Sequence, residues 1–117
     1  MPDFTTNTLI NALNKDSVDF KSVIQVIDSE YEFTPTEFNN GELVNKENTN
    51  NGSCKIFSFA KLNNLSEQAT LNAFGDYYTV DVLQNPDKED HQNIRNFMQS
   101  GWSGIDFKGQ ALIKQDV

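Results

Sequence analysis

The chain has 117 residues, 37% of them apolar, including nine Phe, three Tyr and one Trp, with a net charge of −8. That length suits one domain, residues 1–117, burying a single core without disulfides or a structural metal. The nine basic residues are spread singly, which argues against a nucleic-acid partner and against an anionic membrane surface.

Phe4, Leu9, Ile10 and Leu13 predict a short first helix, with Thr5 or Thr6 as its cap. A second helix starts at Ser17 or Asp19 and carries Phe20, Val23, Ile24, Ile27 and Tyr31 on one face. Pro35 then pushes Thr34 towards an extended backbone. "EFNNGELV" reads as a hairpin turning at Asn40-Gly41, with Phe38 opposite Leu43. "NKENTNNG" follows as a polar loop.

In "SCKIFSFAKLNNL" the apolar residues are too dense for one face, so it is a buried helix or a central strand. Ser53 as a cap and the length of the run favour the helix. Ser66 caps a further helix through "EQATLNAFGDYYTVDVL", which Gly75 weakens or divides; strand remains the alternative for "YYTVDV". After Asn85-Pro86, "PDKEDHQNIRNF" opens another helix with Asp87 as N-cap and Asp90 as its capping acid. It carries Ile94, Phe97 and Met98 inward and stops at Gly101. "GIDFKGQALI" predicts a second hairpin about Lys108-Gly109, with Ile105 opposite Leu112. The fold class expected is α+β, mainly helical, with one or two small β-hairpins.

His91 and Arg95 are the only histidine and the only arginine. A histidine three residues before Ile94 reads first as a hydrogen-bonded boundary residue, since buried polar groups need partners. Asp87 and His91, four apart, would share a helical face and begin a metal site. Two ligands fall short of a zinc site, and Asp76, Asp81 or Asp106 would have to complete it. Cys54 would sit in a helix's first turn beside Lys55, where a thiolate is stabilised. With His91 in reach, and Asp76, Asp81 or Asp90 orienting the ring, a Cys–His–Asp hydrolase would have its parts. The plainer reading of Cys54 is a small buried hydrophobe.

Arg95 can grip an acid such as Asp76 or Asp81 with its planar fork and pin the helix. Its functional version is recognition of an anionic ligand together with His91. Tyr77 and Trp102 have apolar bodies and polar tips, and both are candidates for lining a binding groove. No glycine-rich phosphate loop occurs, so no nucleotide or other cofactor is expected.

"YEFTPTEFNNGELVN", "GSCKIFSFA", "FGDYY", "DHQNIRNFM" and "GWSGIDF", in that order, resemble the HopJ type III effector family of bacterial proteins from about Phe20 to Leu112. The resemblance implies a small protein of the bacterial cytoplasm, delivered in some members to a host cell by type III secretion. It brings no catalytic residue set with it. The single cysteine fits a reducing compartment, no apolar run reaches a membrane span, and "MPDFTTNTLI" lacks the regions of a cleaved signal. Type III leaders are flexible and rich in Ser or Gln, whereas core-type residues begin here by Leu9, so a resident cytoplasmic role is as open as delivery. The leading expectation is a non-enzymatic module for a protein or peptide partner. A hydrolase using Cys54 and His91, or a small metal- or anion-binding domain around Asp87, His91 and Arg95, are the alternatives.

Overall fold

The fold is that of a computed structural model in which residues 5–114 are described. Five α-helices, α1 (Thr6–Leu13), α2 (Phe20–Glu30), α3 (Asn51–Leu62), α4 (Glu67–Asn72) and α5 (Gln92–Ser100), are joined by a π-helical segment at Tyr77–Val82 and a 3₁₀ turn at Gly101–Gly104. Five three-residue strands complete it: β1 (Tyr31–Phe33), β2 (Phe38–Asn40), β3 (Leu43–Asn45), β4 (Ile105–Phe107) and β5 (Leu112–Lys114). They form an antiparallel pair β1–β5 and an antiparallel sheet of order β3-β2-β4. The α+β class, mainly helical, holds.

Helix α3 runs through the centre. Cys54 and Ile56 to Ala60 are all buried, which is why the apolar run shows no single face. Phe57 meets the rings of Phe38, Phe74 and Phe97 at 5.9, 5.5 and 5.0 Å between centroids. The aromatic contacts continue outward from Phe74 to Phe20, Tyr77 and finally His91, at 6.4, 5.0 and 5.1 Å in turn. Edge and offset contacts of this kind add to simple area burial.

Local signals were obeyed where one turn of chain decides. Thr5 caps α1 in a reciprocal box with Thr8, and the Ser66 hydroxyl accepts from Ala69 N–H at 3.0 Å. Phe4, assigned above to α1, lies outside the described residues. Gly75 divides the long helix: α4 ends at Asn72, and the "YYTVDV" segment is helical, of the wide π type.

Other expectations are corrected. Tyr31 leaves α2 and begins β1. The cap of α3 is Asn50, not Ser53. In the first hairpin Asn40 pairs with Leu43, so Phe38 faces Asn45 instead of Leu43. The turn is Gly41-Glu42, with Gly41 alone at positive φ, the pattern of a type II′ turn. The second hairpin does not form. Phe107 stacks on Phe38 at 5.0 Å, drawing β4 to β2, while β5 pairs with β1 around the buried Leu112.

Helix α5 begins at Gln92 with His91 as N-cap, four residues later than Asp87 predicts. Arg95 is the cause. Its Nε and Nη2 donate to the carbonyl and the carboxylate of Asp90, both at 2.6 Å, and Nη1 donates to the Pro86 carbonyl at 3.3 Å. The 86–90 segment is wrapped about the guanidinium and cannot be a first helical turn. Asp87 is consequently exposed and not a cap, it shares no helical face with His91, and Met98 points outward.

Candidate binding cleft at two helix starts

The hairpin β2–β3 sets the site through an asparagine cluster. Asn93, in the first turn of α5, accepts on Oδ1 from Asn40 and Asn45 Nδ2, both at 3.0 Å. Its own Nδ2 donates to Asn45 Oδ1 at 2.9 Å, and its carbonyl accepts from Asn40 Nδ2 at 2.7 Å. Asn50, the cap of α3, donates to the same Asn45 Oδ1 at 2.6 Å. One asparagine cluster, buried at Asn40, Asn45 and Asn93, thus fastens the starts of α3 and α5 to the same hairpin, and to each other.

Between those starts opens a cavity of about 520 Å³. Phe20, Phe74 and Tyr77 wall it, and Gly52 and Ser53 of α3 and Gln92 to Ile94 of α5 line it with His91. Neither helix start has a side-chain cap, unlike α1 and α4. The first intrahelical bonds are Cys54 N–H to Asn50 O and Arg95 N–H to His91 O. Among the described residues no protein group therefore accepts the N–H groups of Gly52, Ser53, Gln92, Asn93 and Ile94. Such donors are satisfied by water or by a ligand.

His91 lines this cavity. Its Nε2 lies 3.0 Å from Asp81 Oδ2, and its ring packs on Tyr77. A carboxylate only accepts, so Nε2 donates to it, and in the neutral ring Nδ1 has a lone pair. Of the three acids named to orient the ring, Asp81 does so; Asp90 stands at 4.0 Å and is held by Arg95. Arg95 thus reaches neither Asp76 nor Asp81 and serves the turn before α5. Among the described residues no group of three His, Cys, Asp or Glu is placed to hold a metal ion.

Cys54 does not line the cavity. Cys54 is 1% exposed, and its Sγ donates to the Thr36 carbonyl at 3.6 Å. Burial pushes the thiol above its ordinary value of 9.0, against weaker opposite pulls from Thr36, the Ser58 hydroxyl and Lys55. Native alkylation of Cys54 is expected to be at least about tenfold slower than in the urea-unfolded chain. Equal rates in the two states would refute its place in the core.

Tyr77 is 40% exposed and stands in the cavity wall, whereas Trp102 is elsewhere. Trp102 Nε1 donates to the Leu65 carbonyl at 3.1 Å and its ring packs edge-on against Phe97, so the two aromatics do not share a groove. Sequence reasoning missed Phe20, Gly52, Ser53 and the asparagines. Their one visible signal was the density of Asn, which reads as loop until the pairings are known.

The hydrogen bond from Arg95 holds the Asp90 carboxyl below its ordinary value of 3.8. A group depressed in the folded state stabilises above its unfolded pKa and loses that contribution as pH falls through the folded one. Asp90→Asn should flatten the acid limb of the stability curve below about pH 4, read by urea melts at stepped pH. An unchanged limb would contradict the pairing.

The sequence profile of the HopJ type III effector protein family matches residues 6–112. A solved structure titled as that of the unknown-function protein VPA0580 is 48% identical, with a TM-score of 0.86, over 93% of this chain and 89% of the other. No curated protein matches. No helix of the described residues is long and apolar enough to cross a membrane.

Proposed function

We propose that this chain, which belongs to the HopJ type III effector protein family, is a non-enzymatic binding module that takes a short peptide segment of a protein partner in the cleft between α3 and α5. The observation that carries this reading is the pair of uncapped helix starts opening on one aromatic-walled cavity. A peptide backbone alternates acceptors and donors. The cleft offers the matching set, free N–H groups at Gly52, Ser53, Gln92 and Asn93 and, in the neutral His91 ring, the Nδ1 lone pair. Phe20 and Tyr77 supply faces for an apolar side chain, and cavities of this size hold such groups. For a chain delivered into another cell, the partner would be a protein of that cell; the family's name supports this.

The hydrolase alternative asks Cys54 to be an accessible thiolate near His91. Its burial and raised pKa speak for the binding reading instead.

Peptides selected from a displayed library should perturb the amide resonances of Gly52, Ser53, Gln92 and Asn93. Tyr77→Ala should weaken them by about tenfold or more. Selected peptides that map to another face, or that bind Tyr77→Ala equally well, would sink the proposal. So would steady turnover of ester or amide substrates that is abolished by Cys54→Ala.

A further inference from the structure

A second cavity, of about 340 Å³, lies between α3 and the chain joining β4 to β5. Leu62, Phe107, Ala111 and Leu112 give it an apolar lining. Two polar groups from one face of α3 enter it, Ser58 and Lys61, three residues apart and so neighbours on the helix surface.

Neither has the partner its type calls for. Ser58 is 6% exposed, and its Oγ makes no hydrogen bond to nitrogen or oxygen. The polar group it faces is the Cys54 thiol, a weak partner whose proton is already directed to Thr36. A buried hydroxyl in that state is costly unless something else satisfies it. Lys61 leans over the Phe107 ring at 5.8 Å and, among the described residues, has no carboxylate within reach. Among the described residues Lys46, Lys55, Lys108 and Lys114 each have one, while Lys15, Lys21 and Lys88 share the state of Lys61.

From these observations we infer that the cavity binds a small carboxylic acid with an apolar body, such as a medium-chain fatty acid. Its carboxylate takes the Lys61 ammonium and the Ser58 hydroxyl, and its tail lies on Leu62, Phe107 and Leu112. A charge-assisted bond of this kind is the strong class of hydrogen bond. A docking strand of another protein is the poorer fit. The Leu112 carbonyl accepts from Gln110 Nε2 at 3.2 Å, and the Ala111 carbonyl accepts from Thr34 N–H at 2.8 Å, so the backbone acceptors along this rim are occupied.

The test is an amide-resonance titration of the full chain with octanoate and, separately, octanol. Octanoate should shift Ser58, Lys61, Leu62 and Ala111 saturably while leaving Gly52, Ser53 and Gln92 in place, which separates this site from the peptide cleft. Octanol should bind at least about tenfold more weakly, and Lys61→Gln should remove that difference. Ser58→Ala should weaken octanoate severalfold with the melting temperature unchanged or raised, because an unsatisfied hydroxyl is lost. Absence of shifts at the solubility limit overturns the inference, as does equal binding of acid and alcohol. A short peptide ending in a leucine carboxylate that displaces octanoate at lower concentration would overturn it too, in favour of a protein occupant.

Discussion

Asn93→Ala is expected to lower the unfolding free energy by about 3 kcal/mol, a large fraction of what a chain of this size has. The residue's side chain makes three hydrogen bonds inside the protein. After truncation Asn45 Nδ2 has no partner, while Asn40 Nδ2 keeps only the backbone carbonyl of residue 93. A buried donor stripped of its acceptor costs about 1–3 kcal/mol, and the vacated volume adds to that. Urea unfolding followed by tryptophan fluorescence reads the change directly. In a double-mutant cycle with Asn45→Ala, the two losses should fall short of additivity by about 1 kcal/mol or more. A loss under about 1 kcal/mol would mean that the cluster does not hold the two helix starts. The same variant should broaden the amide resonances of Gly52 and Gln92, because each is positioned through the cluster.

Gly75→Ala should cost a similar amount, about 3 kcal/mol, for a backbone reason. Its φ of +59° lies where an L side chain is strained. An added Cβ would stand 2.8 Å from the Val18 carbonyl oxygen and 2.9 Å from the Phe20 nitrogen, backbone atoms that cannot swing aside. That loop is already tied to the end of α4, by Val18 N–H to the Asn72 carbonyl and by Asn72 Nδ2 to the Leu13 carbonyl. Relief therefore requires the loop to shift, and Phe20 with it, away from Tyr77. Loss of peptide binding should accompany loss of stability. Gly109→Ala is the control: its Cβ would make only ordinary contact, with Thr36 Cγ2 at 3.7 Å, and should change stability by about 0.5 kcal/mol or less. Equal effects at the two glycines would refute the steric account.

These two residues also mark how far the amino-acid order can be read. Thr5 and Ser66 announce their helices because a cap and its N–H groups lie within three residues. Gly75 announces a break for the same local reason. The delayed start of α5 was hidden, because Asp87 is a good cap in isolation and loses only to the three bonds that Arg95 draws from residues 86 and 90. Strands β4 and β5 could not be paired from their own residues. Their partners lie near positions 38 and 32, and stacking of Phe107 on Phe38 decides between the long-range pairing and the local hairpin.

The site was legible in part. His91 with Asp81 as its orienting acid was among the combinations open to the sequence, and Tyr77 was named. The asparagines were not. Asn40, Asn45 and Asn93 are polar residues in turn-like stretches, and their burial depends on contacts across about fifty positions that no periodicity encodes.

The first hairpin has a chemical consequence for the age of the molecule. Asn-Gly pairs are prone to deamidate when the glycine nitrogen attacks the asparagine side chain. At Asn40-Gly41 that nitrogen donates to the Gly104 carbonyl at 2.9 Å, and the Asn40 amide is clamped by Asn93. Cyclisation must wait for the hairpin to come undone. The rate at which aspartate and isoaspartate accumulate at position 40 is thus a slow clock for the opening of the segment that aligns both helix starts.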